Sequence, residues 1–329
     1  MSGKRRRTRR KGEEESPEYA LLKSLRSSFL AHAERCGAPR AAIGILASWL
    51  LEQMEEETVF DAVVVADQKL GGPATEALLA ALVETYDFVA HLVLWRTESG
   101  SQGASAVARL LHTSSSLVSL EMVDIGMGAR PGADLGRALQ LNASLKSLTL
   151  DHNPAFGAQG VAGLATGLRW NESLTKLSMR FCGLDAAAGA VLGSKILPYA
   201  GALAELDVYG NALGAPGIHA LVKGLPHAQC LATLNVGDNG AHHPPRKVYR
   251  RLATVLPVAP ALTALNIDGN LVSEEGAQLL LAALEDAPRI VSFDLTDRID
   301  HDTTLAFKAL EKVHAKAAGK KKRRRKKAA

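Results

Sequence analysis

Ser144-Leu145-Lys146-Ser147-Leu148-Thr149-Leu150-Asp151-His152-Asn153 sets leucines at 145, 148 and 150 and an asparagine at 153. The pattern LxxLxLxxN returns at Leu174, Leu177, Met179, Cys182, at Leu203, Leu206, Val208, Asn211, at Leu231, Leu234, Val236, Asn239, and at Leu262, Leu265, Ile267, Asn270. Looser copies lie upstream at Leu117, Leu120, Met122, at Val89, Leu92, Leu94, and at Phe60, Val63, Val65, Gln68; one lies downstream at Ile290, Phe293, Leu295. That makes nine units whose starts are 29, 28, 28, 29, 29, 28, 31 and 28 residues apart. A period this steady is the mark of a solenoid.

The fourth and sixth residues of each copy are two apart, so they face the same side of a short strand. Neighbouring units are expected to pair their strands in parallel and stack the inward residues into one core. Asparagine at the ninth position is placed to bond backbone groups of the turn that would otherwise be buried without partners. Cys182 takes the same slot as a small buried side chain. Each turn is followed by helical spacing: Val161, Leu164, Leu168; Ile218, Leu221, Leu225 behind Pro216; and Ala277, Leu280, Leu284, with Ser273 placed to cap and Glu274 and Glu275 in the first turn. Gly160, Gly217 and Gly276 recur just before the first inward helix position, where a close approach of helix and strand is expected.

A strand, a turn and a full helix in about 28 residues resembles the ribonuclease-inhibitor-like class of leucine-rich repeats, over roughly residues 58 to 312. The resemblance implies an α/β horseshoe. Members of this class include inhibitors, GTPase activators, actin-filament capping proteins and sensor domains of immune receptors, so the shared fold does not carry one function across.

Outside the repeats, residues 16–57 read as two helices. Tyr19, Leu22, Leu25 and Leu30 mark one apolar side; Ile43, Ile45, Leu46, Trp49, Leu50 and Met54 mark the other. They suit a terminal cap, which a solenoid needs, with Trp49 in the core. The apolar run 41–51 is too short to span a bilayer, and no other stretch approaches that length. The expected domains are a basic disordered tail at 1–15, the cap at 16–57, the solenoid at 58–314 and a polybasic disordered tail at 315–329.

Charge is divided unevenly. Of 39 Lys and Arg, seven lie in the first tail (Lys4, Arg5, Arg6, Arg7, Arg9, Arg10, Lys11) and eight in the C-terminal run (Lys320, Lys321, Lys322, Arg323, Arg324, Arg325, Lys326, Lys327), leaving 24. Of 34 Asp and Glu, only Glu13, Glu14 and Glu15 lie in a tail, leaving 31 and a body near −7. Nucleic acid should therefore be drawn to the ends and repelled by the body on average. The basic blocks resemble nuclear or nucleolar import signals, and the same composition suits RNA or acidic protein tails. Nucleus or nucleolus is the expected location, with cytoplasm or cytoskeleton as the alternative. No apolar segment follows the first basic run, against a secretory signal, and the glutamates count against a mitochondrial presequence.

Cys36, Cys182 and Cys230 are odd in number and scattered, which argues for a reducing compartment and against a disulfide framework or zinc site. His242 and His243 stand together on a proline-bearing loop with no third ligand nearby in sequence, and read as surface. No cofactor or metal is expected, and no GxGxxG, Walker-type, HExxH or GxSxG motif supports a chemical step.

On the strands, the third, fifth and seventh positions point out onto the concave sheet, a face on the order of 40 Å long for nine strands. The seventh positions read Ala66, Trp95, Val123, Asp151, Arg180, Tyr209, Gly237, Asp268, Thr296, and the fifth Val64, Val93, Glu121, Thr149, Ser178, Asp207, Asn235, Asn266, Asp294. Trp95 thus stands in an apolar patch, and Arg180 stands among Asp151, Lys176, Asp207 and Tyr209. Trp, Tyr and Arg dominate binding hot spots, so these residues, with Asp268, are the candidate protein-binding set. The expected function is a non-catalytic scaffold, monomeric on its own, holding a protein partner on the concave face while the tails target or tether it. The alternatives are a GTPase activator of the Ran-activator type, an RNA-associated ribosome-assembly factor, and a cytoskeletal or axonemal component.

Overall fold

The computed structural model describes residues 15–240, 246–270, 272–295 and 299–328, with side chains to residue 320. The basic cluster Lys4–Lys11, the His242–His243 pair and Thr296 lie outside the described residues.

Nine strands form one parallel sheet in sequence order. They are β1 (Ala62–Ala66), β2 (His91–Trp95), β3 (Ser119–Val123), β4 (Ser147–Thr149), β5 (Lys176–Ser178), β6 (Glu205–Asp207), β7 (Thr233–Asn235), β8 (Ala264–Asn266) and β9 (Ser292–Asp294). The register aligns the repeat positions, with Leu148 opposite Leu120 and Leu177, and Leu206 opposite Leu234. Each strand is too short to hold a sheet alone, and stacking supplies the missing neighbours. The fourth position is buried in every repeat and the sixth in every repeat but the last, where Leu295 is partly buried.

A helix follows each strand: α3 (Gly71–Thr85), α4 (Gly100–Thr113), α5 (Pro131–Leu141), α6 (Gly157–Leu168), α7 (Ala186–Val191, continued by a π-turn over Leu192–Ile196), α8 (Gly214–Val222), α9 (Arg246–Val255), α10 (Glu274–Glu285) and α11 (His301–Ala328). The helical triads Val161/Leu164/Leu168, Ile218/Leu221/Leu225 and Ala277/Leu280/Leu284 are buried, and Ser273 Oγ caps α10 by accepting the Gly276 N–H at 3.1 Å.

The recurrent glycines serve a different approach from the one expected of them. At Gly217 a Cβ would meet Ala186 Cα of the neighbouring helix at 3.0 Å, and at Gly276 it would meet the Tyr249 ring of α9 at 2.7 Å. At these two the close contact is helix to helix, whereas a Cβ on Gly160 would meet the Phe156 ring at the start of its own helix at 2.5 Å. The helix-to-helix approach is tightest between α5 and α6, where a Cβ on Gly132, Gly136 or Gly167 would collide with a main-chain carbonyl of the partner helix.

The ninth-position side chains act as a ladder. Asn153 donates to the carbonyls of Met122 (2.9 Å), Leu150 (2.8 Å) and Asp151 (3.2 Å) and accepts from the Met127 N–H (3.0 Å). Asn211, Asn239 and Asn270 repeat the arrangement one unit on each time. Cys182 keeps part of it by donating its thiol to the Leu150 carbonyl at 3.1 Å. A second ladder, absent from the sequence reading, runs where helix returns to strand. Asn142 donates to Leu111 and Ser114 carbonyls and accepts from the Leu145 N–H, and Asn171 does the same one repeat later.

Helices α1 (Pro17–Arg35) and α2 (Arg40–Glu55) cover the first repeat with Leu22, Leu25, Phe29, Leu46 and Leu50 fully buried. Trp49 is half-buried against Phe60 (4.9 Å), which stacks on Tyr86 (4.5 Å). At the other end, Phe307 packs on Phe293 (5.7 Å), and buried His314 bonds the Ile290 carbonyl through Nδ1 (2.7 Å), so the first half of α11 closes the core.

The tail expected without order from residue 315 is instead a continuation of α11 to Ala328. Lys and Arg are good helix formers, and cations in a last turn complement the helix dipole. The helix is already nucleated against the last repeat, which removes the costliest step of its formation.

Candidate functional site

Alternation along each strand turns the third, fifth and seventh side chains outward, and the parallel register lines them up across the sheet. At the early end, Trp95 is 42% exposed and Val64 is exposed, with Ala66, Val93 and Val123 half-buried around them. The terminal cap leaves the indole open. Its Nε1–H donates to Glu121 Oε2 at 3.2 Å, which orients the ring.

Three strands further on, Arg180, Asp207, Tyr209 and Asp151 come together, but not as simple ion pairs. Asp151 Oδ1 accepts from the Arg180 backbone N–H (2.9 Å) and the Ser178 hydroxyl (2.7 Å), so its charge is spent on the turn. The Arg180 guanidinium stacks over the Tyr209 ring (5.0 Å), and its Nε lies 3.9 Å from Asp207 Oδ2. That nitrogen has no hydrogen-bond acceptor among the described residues. Asp207 accepts from the Tyr209 N–H (2.9 Å) and from Asn235 Nδ2 (3.1 Å). Burial pushes the Asp207 carboxyl above its ordinary value, while those bonds and Arg180 pull the other way. Lys176 is paired with Glu205 at 2.9 Å at the third position. Asp268 is exposed two strands beyond Tyr209, and Trp95 stands apart on β2.

Fifth-position Asp207, Asn235 and Asn266 share one role, each accepting the N–H two residues on. These Asx turns end the strands, so the acidic and amide row is partly structural. Along β6–β9 it also lines a shallow groove of about 240 Å³ with Asp294.

The eighth position is a surface that sequence spacing did not single out. Asp67, Arg96, Asp124, His152, Phe181, Gly210, Asp238 and Gly269 all have φ between 46° and 72°. The left-handed turn swings their side chains onto the rim. His152 stacks on Phe181 (4.7 Å), and Phe181 meets Tyr209 edge-on (5.7 Å), lying over Gly210, where a Cβ would collide with its ring. Arg180, Tyr209, Phe181 and His152 thus form one continuous aromatic and cationic array. The two glycines at position eight were the available signal. A further row, Leu141 (67% exposed), Trp170 (61%) and Tyr199, sits at the helix ends on the opposite edge, with Arg169 over both aromatic rings at 4.8 and 5.2 Å. Its 29-residue spacing was readable.

Cys182 is buried, and burial pushes its thiol up to about 12. Among the described residues no group of three His, Cys, Asp or Glu is placed to hold a metal, and no helix is long and apolar enough to cross a membrane.

No family model matches the chain. It is 32% identical over 211 residues to mouse (Mus musculus) NACHT, LRR and PYD domains-containing protein 12, covering 63% of this chain and 20% of that protein. It is 34% identical over 171 residues to the ribonuclease inhibitor of Sus scrofa, covering 50% of this chain and 35% of the inhibitor. With the Tonsoku-like protein of Bos taurus it shares 27% identity over 255 residues, covering 74% and 18%. The chain thus spans between about a fifth and a third of the length of these relatives.

Proposed function

Taking as premise that this chain is a leucine-rich repeat protein of the ribonuclease-inhibitor-like class, we infer that it is a non-catalytic interaction scaffold whose protein partner sits on the concave face. The observation that carries this reading is the exposed array of Arg180, Tyr209, Phe181 and His152, with Trp95 in its apolar patch on the same sheet. These residue types supply large rigid contact area at low cost in side-chain entropy. The pairing of Arg180 with Tyr209 and Asp207 holds the guanidinium in place before a partner arrives, which lowers the entropy lost on binding. The polybasic ends serve as address or tether, for the nucleus or nucleolus or for a polyanion.

The test compares the partners captured by the full chain, by the Trp95→Ala/Tyr209→Ala variant, and by a chain ending at Ala318. Loss of a protein partner from the concave variant, retained by the truncated chain, is the expected outcome. A concave variant that keeps every partner overturns the reading.

A further inference from the structure

The acidic body carries one local exception. From Val208 to Ile267 the sequence holds a single acid, Asp238, against Lys223, Arg246, Lys247, Arg250 and Arg251. Asp238 stands in the left-handed turn after β7, away from the helix layer. Lys223 follows α8 directly; the other four lie on α9, which packs beside α8. Lys223 stands four residues beyond His219 at the end of α8, on the same side of that helix. Lys247 and Arg251 share a helix face at i, i+4. Arg246 pairs with Glu275 of α10 at 2.7 Å, whereas Lys223, Lys247 and Arg251 are in no ion pair among the described residues.

The three converge on His219 of α8. Burial first, and then Lys223, Arg251 and Lys247 in turn, hold its imidazole below its ordinary value. Its Nδ1 is buried without a hydrogen-bond partner among the described residues. Three cationic side chains gathered around one imidazole repel one another, and an anion placed among them relieves that repulsion.

We propose that the outer face of α8 and α9 is a nucleic-acid backbone site, in which Lys223, Lys247 and Arg251 hold phosphates without reading sequence. Surface chemistry favours a phosphate backbone over an acidic protein. Between Tyr199 and Val258 none of the described residues is an exposed large hydrophobic, so a protein partner would find no apolar centre for its interface. For the same reason the face has no aromatic platform for unstacked bases, and a duplex, with its phosphates outside, fits it better than a single strand. This site adds to the concave interface and lies on the other layer of the molecule.

The test is fluorescence anisotropy of a short labelled DNA duplex with the full chain and with Lys223→Gln/Lys247→Gln/Arg251→Gln, across a salt series from about 50 to 200 mM. The basic ends bind in both proteins, so the informative quantity is the difference in salt dependence. Losing three phosphate contacts makes the log–log slope shallower by about 3, and Lys223→Gln alone by about 1. The single variant keeps the test decisive should the triple variant fold poorly. A slope unchanged in either variant overturns the proposal and leaves the chain ends as the whole binding site. Equal loss of affinity for poly-glutamate overturns it in favour of an acidic protein partner. In the wild type, saturating duplex should raise the His219 titration midpoint by NMR; a midpoint that stays still counts against the site.

Discussion

At the scale of single residues, the ninth repeat position shows how one side chain can be required by backbone accounting. The turn leaves carbonyls facing a dry core, and Asn satisfies three of them while accepting an N–H. Cys182 supplies a single weak donor and gains burial in exchange. Its thiol is raised from 9.0 to about 12, so the folded state holds the proton more tightly than the unfolded chain does. Stability from this residue is complete below pH 9.0 and declines as pH rises toward 12. Thiol labelling at pH 8 should therefore modify exposed Cys230 rapidly and Cys182 only on unfolding. The fall in melting temperature at alkaline pH should be shallower in Cys182→Ala. Fast labelling of Cys182 in the native chain would contradict its place in the core.

At the scale of elements, the helices are spaced by glycine. Within α5 and α6 a Cβ has nowhere to go, whereas at Gly44 of α2 nothing lies within 4 Å. The same substitution should thus act with opposite signs. Gly44→Ala should stabilise by up to about 1 kcal/mol through helix propensity. Gly132→Ala should destabilise by about 1–3 kcal/mol, because overpacking against a backbone carbonyl outweighs that gain. Urea denaturation of the two variants measures both. The expectation that Gly160, Gly217 and Gly276 relieve helix–strand crowding came from their place beside the inward helix residues. A spacing within one repeat carries no information about which neighbouring repeat is nearer.

At the scale of the whole molecule, each repeat touches only its neighbours, so damage should stay local. Phe307 of α11 seals the last repeat through Phe293. Phe307→Ser should speed amide exchange in β8, β9 and α10 while leaving β1–β3 at wild-type rates. Uniform acceleration would mean that the solenoid unfolds as one unit. The charge distribution is also organised at this scale. Acidic and amide side chains line the later part of the concave sheet, while the helix layer behind it at α8 and α9 is basic.

The sequence by itself determined the solenoid, its nine units, the inward core and the ninth-position ladder. A side-chain period of two on strands and near 3.6 on helices, repeated every 28 to 31 residues, admits few other packings. It also placed Trp95 and Tyr209 on one face. Only the tertiary structure decided what those residues touch. Asp151 turned to the backbone N–H of Arg180 instead of its guanidinium, Phe181 joined the array through a left-handed turn over Gly210, and the C-terminal run lengthened a helix already seeded by the last repeat. Each of these outcomes depends on atoms one repeat away in the chain, brought to within a few ångströms by stacking.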